Sequence, residues 1–233
     1  MSRIGVLALV AATAAIVTAV ALAAQSPRAV RTSILDAAKA QQSVHYVAVQ
    51  IAGKSLLTLT GDVAAADGRQ QVSFKAGKET GHMTILVADQ TAYAQGDSNG
   101  LQLLLGLTQA QASTYAGQWI SIPKGDKHYN SVAASVTLGS FLQSITPQGR
   151  LATLKTKVGG RRVIAVRAIS GTGKKKKLQI LDAPASGKRL PLEEEDIWPA
   201  RQYLSTTKMS KWNESVQVTA PANAVPITTV VGH

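Results

Sequence analysis

The sequence predicts an α+β fold in which a large, curled antiparallel sheet carries helices on its concave side. Two observations predict it: short alternating segments follow one another with tight turns between them, and a strongly apolar helix lies between two such segments. Sequential hairpins build an antiparallel meander, and a sheet of this size must twist and curl. No low-complexity linker divides the chain, so we expect one domain over residues 25–233.

The N-terminal segment, residues 1–24, is expected to direct export. A short basic start precedes an uncharged apolar run from Ile4 to Ala24, about 32 Å long as a helix. Its A-x-A ending suits signal peptidase, whereas its length suits a retained signal-anchor, so both outcomes stay open. In either case we expect the domain to be exported, at the outer face of the cytoplasmic membrane or secreted.

The first part of the domain is predicted as an amphipathic helix followed by a meander of five strands. The helix is expected at Ser26–Ala40, and the strands at Val44–Ala52, Ser55–Ala64, Arg69–Ala76, His82–Ala88 and Thr91–Gln95. Turns such as Gly53-Lys54 separate them. Alternation gives the first four strands apolar sides, formed by Val47, Val49 and Ile51, by Leu57 and Leu59, by Val72 and Phe74, and by Met83, Ile85 and Val87.

The central unit places an apolar helix between two strands. Leu103, Leu104 and Leu107 recur at helical spacing within Leu101–Ala116, so this helix must bury one side. A strand carrying Trp119 as a packing anchor follows at Gln118–Ile122. The expected hinges of the helix are the neighbouring glycines, Gly96, Gly100 and Gly117.

The second part is predicted as one helix and a second run of strands. The helix, Tyr129–Ile145, turns Val136 and Phe141 towards one side. The strands are expected at Leu151–Val158, Arg162–Ile169, Lys176–Asp182, Lys188–Trp198 and Tyr203–Val218, ahead of a tail from Pro221 to Pro226. Two apolar helices held by Gly-rich junctions against a curled sheet leave room for an apolar cavity.

Composition narrows the function. The chain has no cysteine, which excludes disulfides, thiolate metal sites and cysteine nucleophiles. The net charge of +12 favours a solvated basic surface or an anionic membrane, and the low aromatic content, 4%, argues against a nucleic-acid partner. The histidines form no ligand pair or nucleophile motif, and Glu193–Asp196 is interpreted as a solvated strand end. We therefore expect a monomer without enzymatic activity, metal or cofactor.

Three segments resemble the LppX/LprA/LprF/LprG lipoprotein family, which shares the wider LolA-like fold. They are the strand Thr91–Gly96, the leucines from Leu103 to Leu107, and the segment Ala116–Pro123 (AGQWISIP). The resemblance implies a half-barrel sheet around helices, enclosing a cavity for the acyl chains of a lipid or lipoglycan carried between layers of the cell envelope. Those lipoproteins are anchored through a lipidated cysteine, and this chain has none.

The predicted ligand contacts are the apolar residues of the sheet and helices. They are Val47, Val49, Leu57, Leu59, Val72, Ile85, Val87, Leu103, Leu104, Leu107, Val136 and Phe141. The alternative is that these residues form a closed core, in an interaction or sensor module on the same fold. Lys174, Lys175, Lys176 and Lys177 are interpreted either as a solubilising hairpin tip or as a contact with an anionic membrane surface.

Overall fold

The computed structural model describes residues 25–232, in which one twelve-stranded curled sheet carries all the helices. The predicted export segment, residues 1–24, lies outside the described residues. The strands are β1 (Ser43–Ala52), β2 (Ser55–Ala64), β3 (Gly68–Ala76), β4 (Glu79–Ala88), β5 (Thr91–Gly96), β6 (Ile120–Pro123), β7 (Arg150–Val158), β8 (Arg161–Ser170), β9 (Lys177–Pro184), β10 (Glu193–Trp198), β11 (Tyr203–Ser210) and β12 (Val225–Pro226). The helices are α1 (Pro27–Lys39), α2 (Ser98–Leu105), α3 (Gln109–Tyr115), α4 (Tyr129–Val132), α5 (Leu138–Ser144) and α6 (Ile227–Val231). Within residues 25–232, no helix has the length and apolar character needed to cross a membrane.

Two meanders meet in the middle of the sheet. The strand order is β12-β6-β5-β4-β3-β2-β1-β11-β10-β9-β8-β7, so the pairing of β1 with β11 joins the first meander to the second. All neighbours are antiparallel except the short β12, which runs parallel to β6. Because β6 and β7 lie near opposite edges, the chain between them must cross a face of the sheet, and it carries α4 and α5. This crossing places the helices on one face of the sheet, which we call the concave face.

The helices bury two apolar clusters against the concave face. One lies beneath α1 and α5, which contact each other, and it includes Ile34, Tyr46, Val63, Phe141, Val166 and Leu181. The other lies beneath α2, α4 and α6, and it includes Val72, Ile85, Leu101, Ile120, Val136 and Ile227. The predicted α+β class with a curled antiparallel sheet is confirmed, and most of the concave face is filled by side chains.

Both long helices predicted inside the domain are wrong in length. The segment Leu101–Ala116 forms α2 and α3, because Gly106 adopts a left-handed φ of 66° that ends α2, and Thr108 begins α3 with a capping box. The second predicted helix is also divided, since Ser135 has a φ of 62° and Thr137 caps a new helix start. In both cases local capping outweighs the continuous apolar periodicity.

The C-terminal region also departs from the prediction. The expected strand Tyr203–Val218 ends at Ser210, and the predicted tail contributes β12. The following α6 was not predicted, and its Ile227 and Val230 are buried in the second cluster at 1% and 3% exposure.

Asp97 fixes the start of α2, and its replacement by alanine is expected to lower the free energy of unfolding by about 1–2 kcal/mol. One carboxylate oxygen accepts a hydrogen bond from the backbone N–H of Gly100 at 2.7 Å, and the other accepts from the backbone N–H of His82 at 2.9 Å. Urea unfolding monitored by circular dichroism measures the loss.

The matched control is Asp36→Ala on α1. Its exposed carboxylate has a 4.0 Å contact with Lys39, so we expect a loss of at most about 0.5 kcal/mol. Equal losses for the two variants would contradict the proposed role of Asp97.

Candidate functional site: a cleft on the concave face

The strand register shows which side chains line the concave face. Ala48 pairs with Leu59, and Leu59 pairs with Val72, so these residues point to the same side as the buried clusters. Val47 and Val49 have the opposite parity and are 36% and 37% exposed. Their predicted place in the cavity is therefore wrong: both lie on the outer face of the sheet.

An apolar pocket of about 510 Å³ opens at one end of the concave face. We call it the mouth pocket. Leu57 and Phe74 line its sheet side, and Leu103 lines its α2 side. Leu103 is 55% exposed, whereas Leu101 and Leu105 of the same helix are buried. The helix thus fixes itself with two leucines and leaves a third facing the pocket.

The floor of the cleft is closed by aromatic packing. The rings of Tyr46 and Phe141 stack with their centroids 4.5 Å apart, and the residues are each 1% exposed. Gly61 makes this possible, because a Cβ there would lie 2.3 Å from the Tyr46 ring. The Tyr46 hydroxyl donates to the carbonyl of Ser135 at 3.2 Å and accepts from the Gln70 side-chain amide. The floor is consequently core.

A second pocket, of about 170 Å³, adjoins the mouth pocket and shares Gln50 and Tyr203 with it. We call it the polar pocket. Its lining on the second meander is polar, formed by Glu194, Asp196, Tyr203, Ser205 and Thr207. Register explains the change, because Ala48 of β1 pairs with Thr207, which pairs with Glu194. The cleft is therefore apolar over β2 and β3 and polar over β10 and β11.

Glu194 is the most unusual titratable group in the cleft. It is 4% exposed, and burial raises the pKa of its carboxyl to about 8, assisted by the negative charge of Asp196 and opposed by Lys177. Asp196 instead pairs with Lys177, with 2.7 Å between Nζ and Oδ2. At neutral pH the polar pocket is thus lined by a neutral glutamic acid and a compensated ion pair. The interpretation of Glu193–Asp196 as a solvated strand end is wrong for Glu194, whose strand parity turns it inward.

The remaining predicted contacts divide between cleft and core. Leu57 and Leu103 line the mouth pocket, Leu59 lines the polar pocket, and Leu104 is partly buried against the second cluster. The others are core residues at 6% exposure or less, namely Val72, Ile85, Val87, Leu107 and Val136, while Phe141, 1% exposed, forms the buried floor beside the polar pocket. Gln50 has the same strand parity as Ala48, so the strand register would have placed it in the cleft. In contrast, no pattern in the strand sequences indicates the polar pocket.

The four lysines of the predicted membrane contact do not act alike. Lys174, Lys175 and Lys176 are exposed in the turn between β8 and β9, whereas Lys177 turns towards Asp196. The indole N–H of Trp198 donates to the carbonyl of Lys174 at 3.2 Å, which holds this turn against the one between β10 and β11.

A histidine and an acid meet on the other side of the sheet. His45 Nδ1 lies 2.6 Å from Asp62 Oδ1, and Arg69 Nε donates to Asp62 Oδ2 at 2.8 Å. Burial favours a higher pKa for Asp62, but the hydrogen bonds from His45 and Arg69 outweigh it and lower the pKa. The nearby Ser43 hydroxyl donates to the carbonyl of Glu214, so it serves the C-terminal segment and is not presented to His45. Residues 25–232 contain no group of three or more metal-ligating side chains.

The fold is similar to that of the lipoprotein LppX from Mycobacterium tuberculosis. That match has a TM-score of 0.51 and 15% identity, and it covers 83% of this chain and 100% of LppX. A conserved protein from Thermus thermophilus matches with a TM-score of 0.45 and 10% identity over 87% of this chain and 98% of its own. Neither a protein-family model nor a curated protein matches the sequence. The resemblance drawn from the segments around Tyr93 and Trp119 is therefore confirmed as a likeness of fold.

Proposed function

We propose that the protein is an extracytoplasmic, non-enzymatic lipid carrier that holds an acyl chain in the mouth pocket. The observation that carries the proposal is the exposure of Leu103 into an apolar pocket of about 510 Å³, within the size range of small-molecule sites. Helix α2 is otherwise well packed, so the exposure of this leucine is explained if a bound ligand covers it. Each buried methylene would contribute about 0.8 kcal/mol.

The polarity of the cleft defines the class of guest. An acyl chain fits the side formed by Leu57, Phe74 and Leu103, while a hydroxylated or amide-bearing group fits the polar pocket beside Tyr203. The proposed ligand is therefore an amphipathic lipid or lipoglycan. The predicted export segment, residues 1–24, supports an extracytoplasmic location.

The test is the binding of a fluorescent fatty acid together with native mass spectrometry of the purified protein. We expect co-purified lipid and saturable probe uptake. Leu103→Asp should weaken probe binding by about 10–100-fold, because it removes an apolar contact and places a charge in the pocket.

The matched control is Leu154→Asp. Leu154 is 42% exposed on β7, the strand at the far edge of the sheet, so probe affinity should be unchanged. A lipid-free mass with no probe uptake by the wild type would refute the proposal.

A second candidate function is a non-catalytic interaction module, favoured by an apolar stripe on the outer face. Val47, Val49, Ile51 and Leu204 are between 36% and 42% exposed, and Ile51 pairs directly with Leu204. A lipid-free protein whose binding to a partner protein is lost in Val49→Asp, and kept in Leu103→Asp, would favour this function over carriage.

A further inference from the structure

We propose that the end of the sheet at which the strands turn around the mouth pocket docks on an anionic lipid bilayer. In an antiparallel sheet, every second turn lies at the same end of the strands. The register places the β1–β2, β3–β4 and β10–β11 turns at one end of the strands, since Ser55 pairs with both Ala52 and Ala76, and Tyr203 pairs with both Ala52 and Trp198. The β8–β9 turn lies at the same end, because it is closed by the pair of Ser170 with Lys177, next to Leu178, which pairs with Ile197. We call these four turns the mouth rim.

Basic side chains occupy every turn of the mouth rim. They are Lys54, Lys78, Arg201 and the three exposed lysines Lys174, Lys175 and Lys176. Glu79 is the exposed carboxylate among them, while the nearby Asp97 is occupied by two backbone N–H groups and Asp196 by Lys177. Each lysine near an anionic surface strengthens attachment, so this rim attracts such a surface.

Exposed apolar side chains stand among these charges. Ile51, Leu56 and Leu204 are 40–42% exposed, and Leu103 is 55% exposed. Trp198 lies at the same end of the strands, and the Arg201 guanidinium is 3.8 Å from the centroid of its ring. Basic groups around apolar and indole side chains match the headgroup region of a membrane.

The opposite end of the strands lacks this combination of basic and exposed apolar side chains. It is also basic at the β7–β8 turn, with Lys157, Arg161 and Arg162, and at the β9–β10 turn, with Lys188 and Arg189, whereas Asp67 and Asp89 lie at its other two turns. None of the strongly exposed large apolar side chains of residues 25–232 lies at these turns. The docked orientation therefore presents the mouth pocket to the bilayer. That a lipid enters by this route rests on the proposed function; the docking itself does not.

The absence of cysteine from the sequence allows a direct test of orientation. Lys78→Cys places a single thiol on the mouth rim, and Lys157→Cys places one at the opposite end of the strands. Each is labelled with an environment-sensitive fluorophore on the exported protein. With phosphatidylglycerol-containing vesicles at low salt we expect a blue shift for the Lys78 position only, and none with pure phosphatidylcholine vesicles.

A charge-matched pair of variants measures the contribution of the lysines. Lys174→Gln/Lys175→Gln/Lys176→Gln should lower vesicle partitioning by about 100-fold. Lys157→Gln/Arg161→Gln/Arg162→Gln removes the same charge and should change it little. Equal effects of the two triple variants, or equal shifts at both labels, would overturn the docking proposal. If fatty acid uptake in solution persists in that case, lipid carriage stands without it.

Discussion

Replacing Phe141 by alanine is expected to lower the free energy of unfolding by about 3–5 kcal/mol. Phe141 is 1% exposed, stacks on Tyr46 and belongs to the cluster beneath α1 and α5, so its removal leaves a cavity that the curled sheet cannot close. Urea unfolding followed by tryptophan fluorescence measures the loss. The result decides whether this predicted ligand contact is core or cavity wall.

The control is Phe74→Ala, because the protein has two phenylalanines and they occupy the two parts of the cleft. Phe74 is partly buried and lines the mouth pocket. We expect a smaller loss of stability, about 1–2 kcal/mol, together with weaker fatty acid binding. If Phe141→Ala cost no more stability than Phe74→Ala, the floor would be an open cavity wall instead of core.

The face of β1 shows how far the sequence could be taken. Both parities of this strand are apolar, with Val47, Val49 and Ile51 on one and Val44, Tyr46 and Ala48 on the other, so hydrophobicity alone favoured the wrong set. The predicted Gly53-Lys54 turn already pairs Ala48 with Leu59, and Leu59 is one of the predicted ligand contacts. Because a one-residue change of register exchanges the faces of a strand, the turn was the better guide.

The polar half of the cleft could not be predicted in the same way. Glu194 belongs to a run of four acidic residues, a pattern that usually indicates a solvated surface. Its burial depends on the pairing of β1 with β11, two strands more than 150 residues apart in the chain. The local meanders were predictable from alternation and turns, whereas the contact that joins them leaves no local signal.

The second large expected effect concerns pH. Because of Glu194, the wild type should become less stable as pH rises from about 4.5 to about 8. The Glu194→Gln variant should not show this decrease. The carboxyl has an ordinary pKa of 4.5 in the unfolded chain and a pKa of about 8 in the folded protein. Between these values the folded state holds the proton and the unfolded state does not, so the free energy of unfolding falls with rising pH. The full difference is on the order of 5 kcal/mol.

Urea unfolding at pH 5, 7 and 9 measures this difference. The two proteins should be closest in stability at pH 5, and Glu194→Gln should be the more stable by the largest margin at pH 9. Glu195→Gln is the control, because Glu195 has the opposite strand parity and its charge raises the pKa of Glu194 less than burial and Asp196 do, so this variant should keep most of the pH dependence of the wild type. A Glu194→Gln profile parallel to that of the wild type would show that the carboxyl titrates as if solvated. The polar pocket would then be charged at neutral pH, and the uncharged end of an amphipathic lipid would not fit beside Glu194.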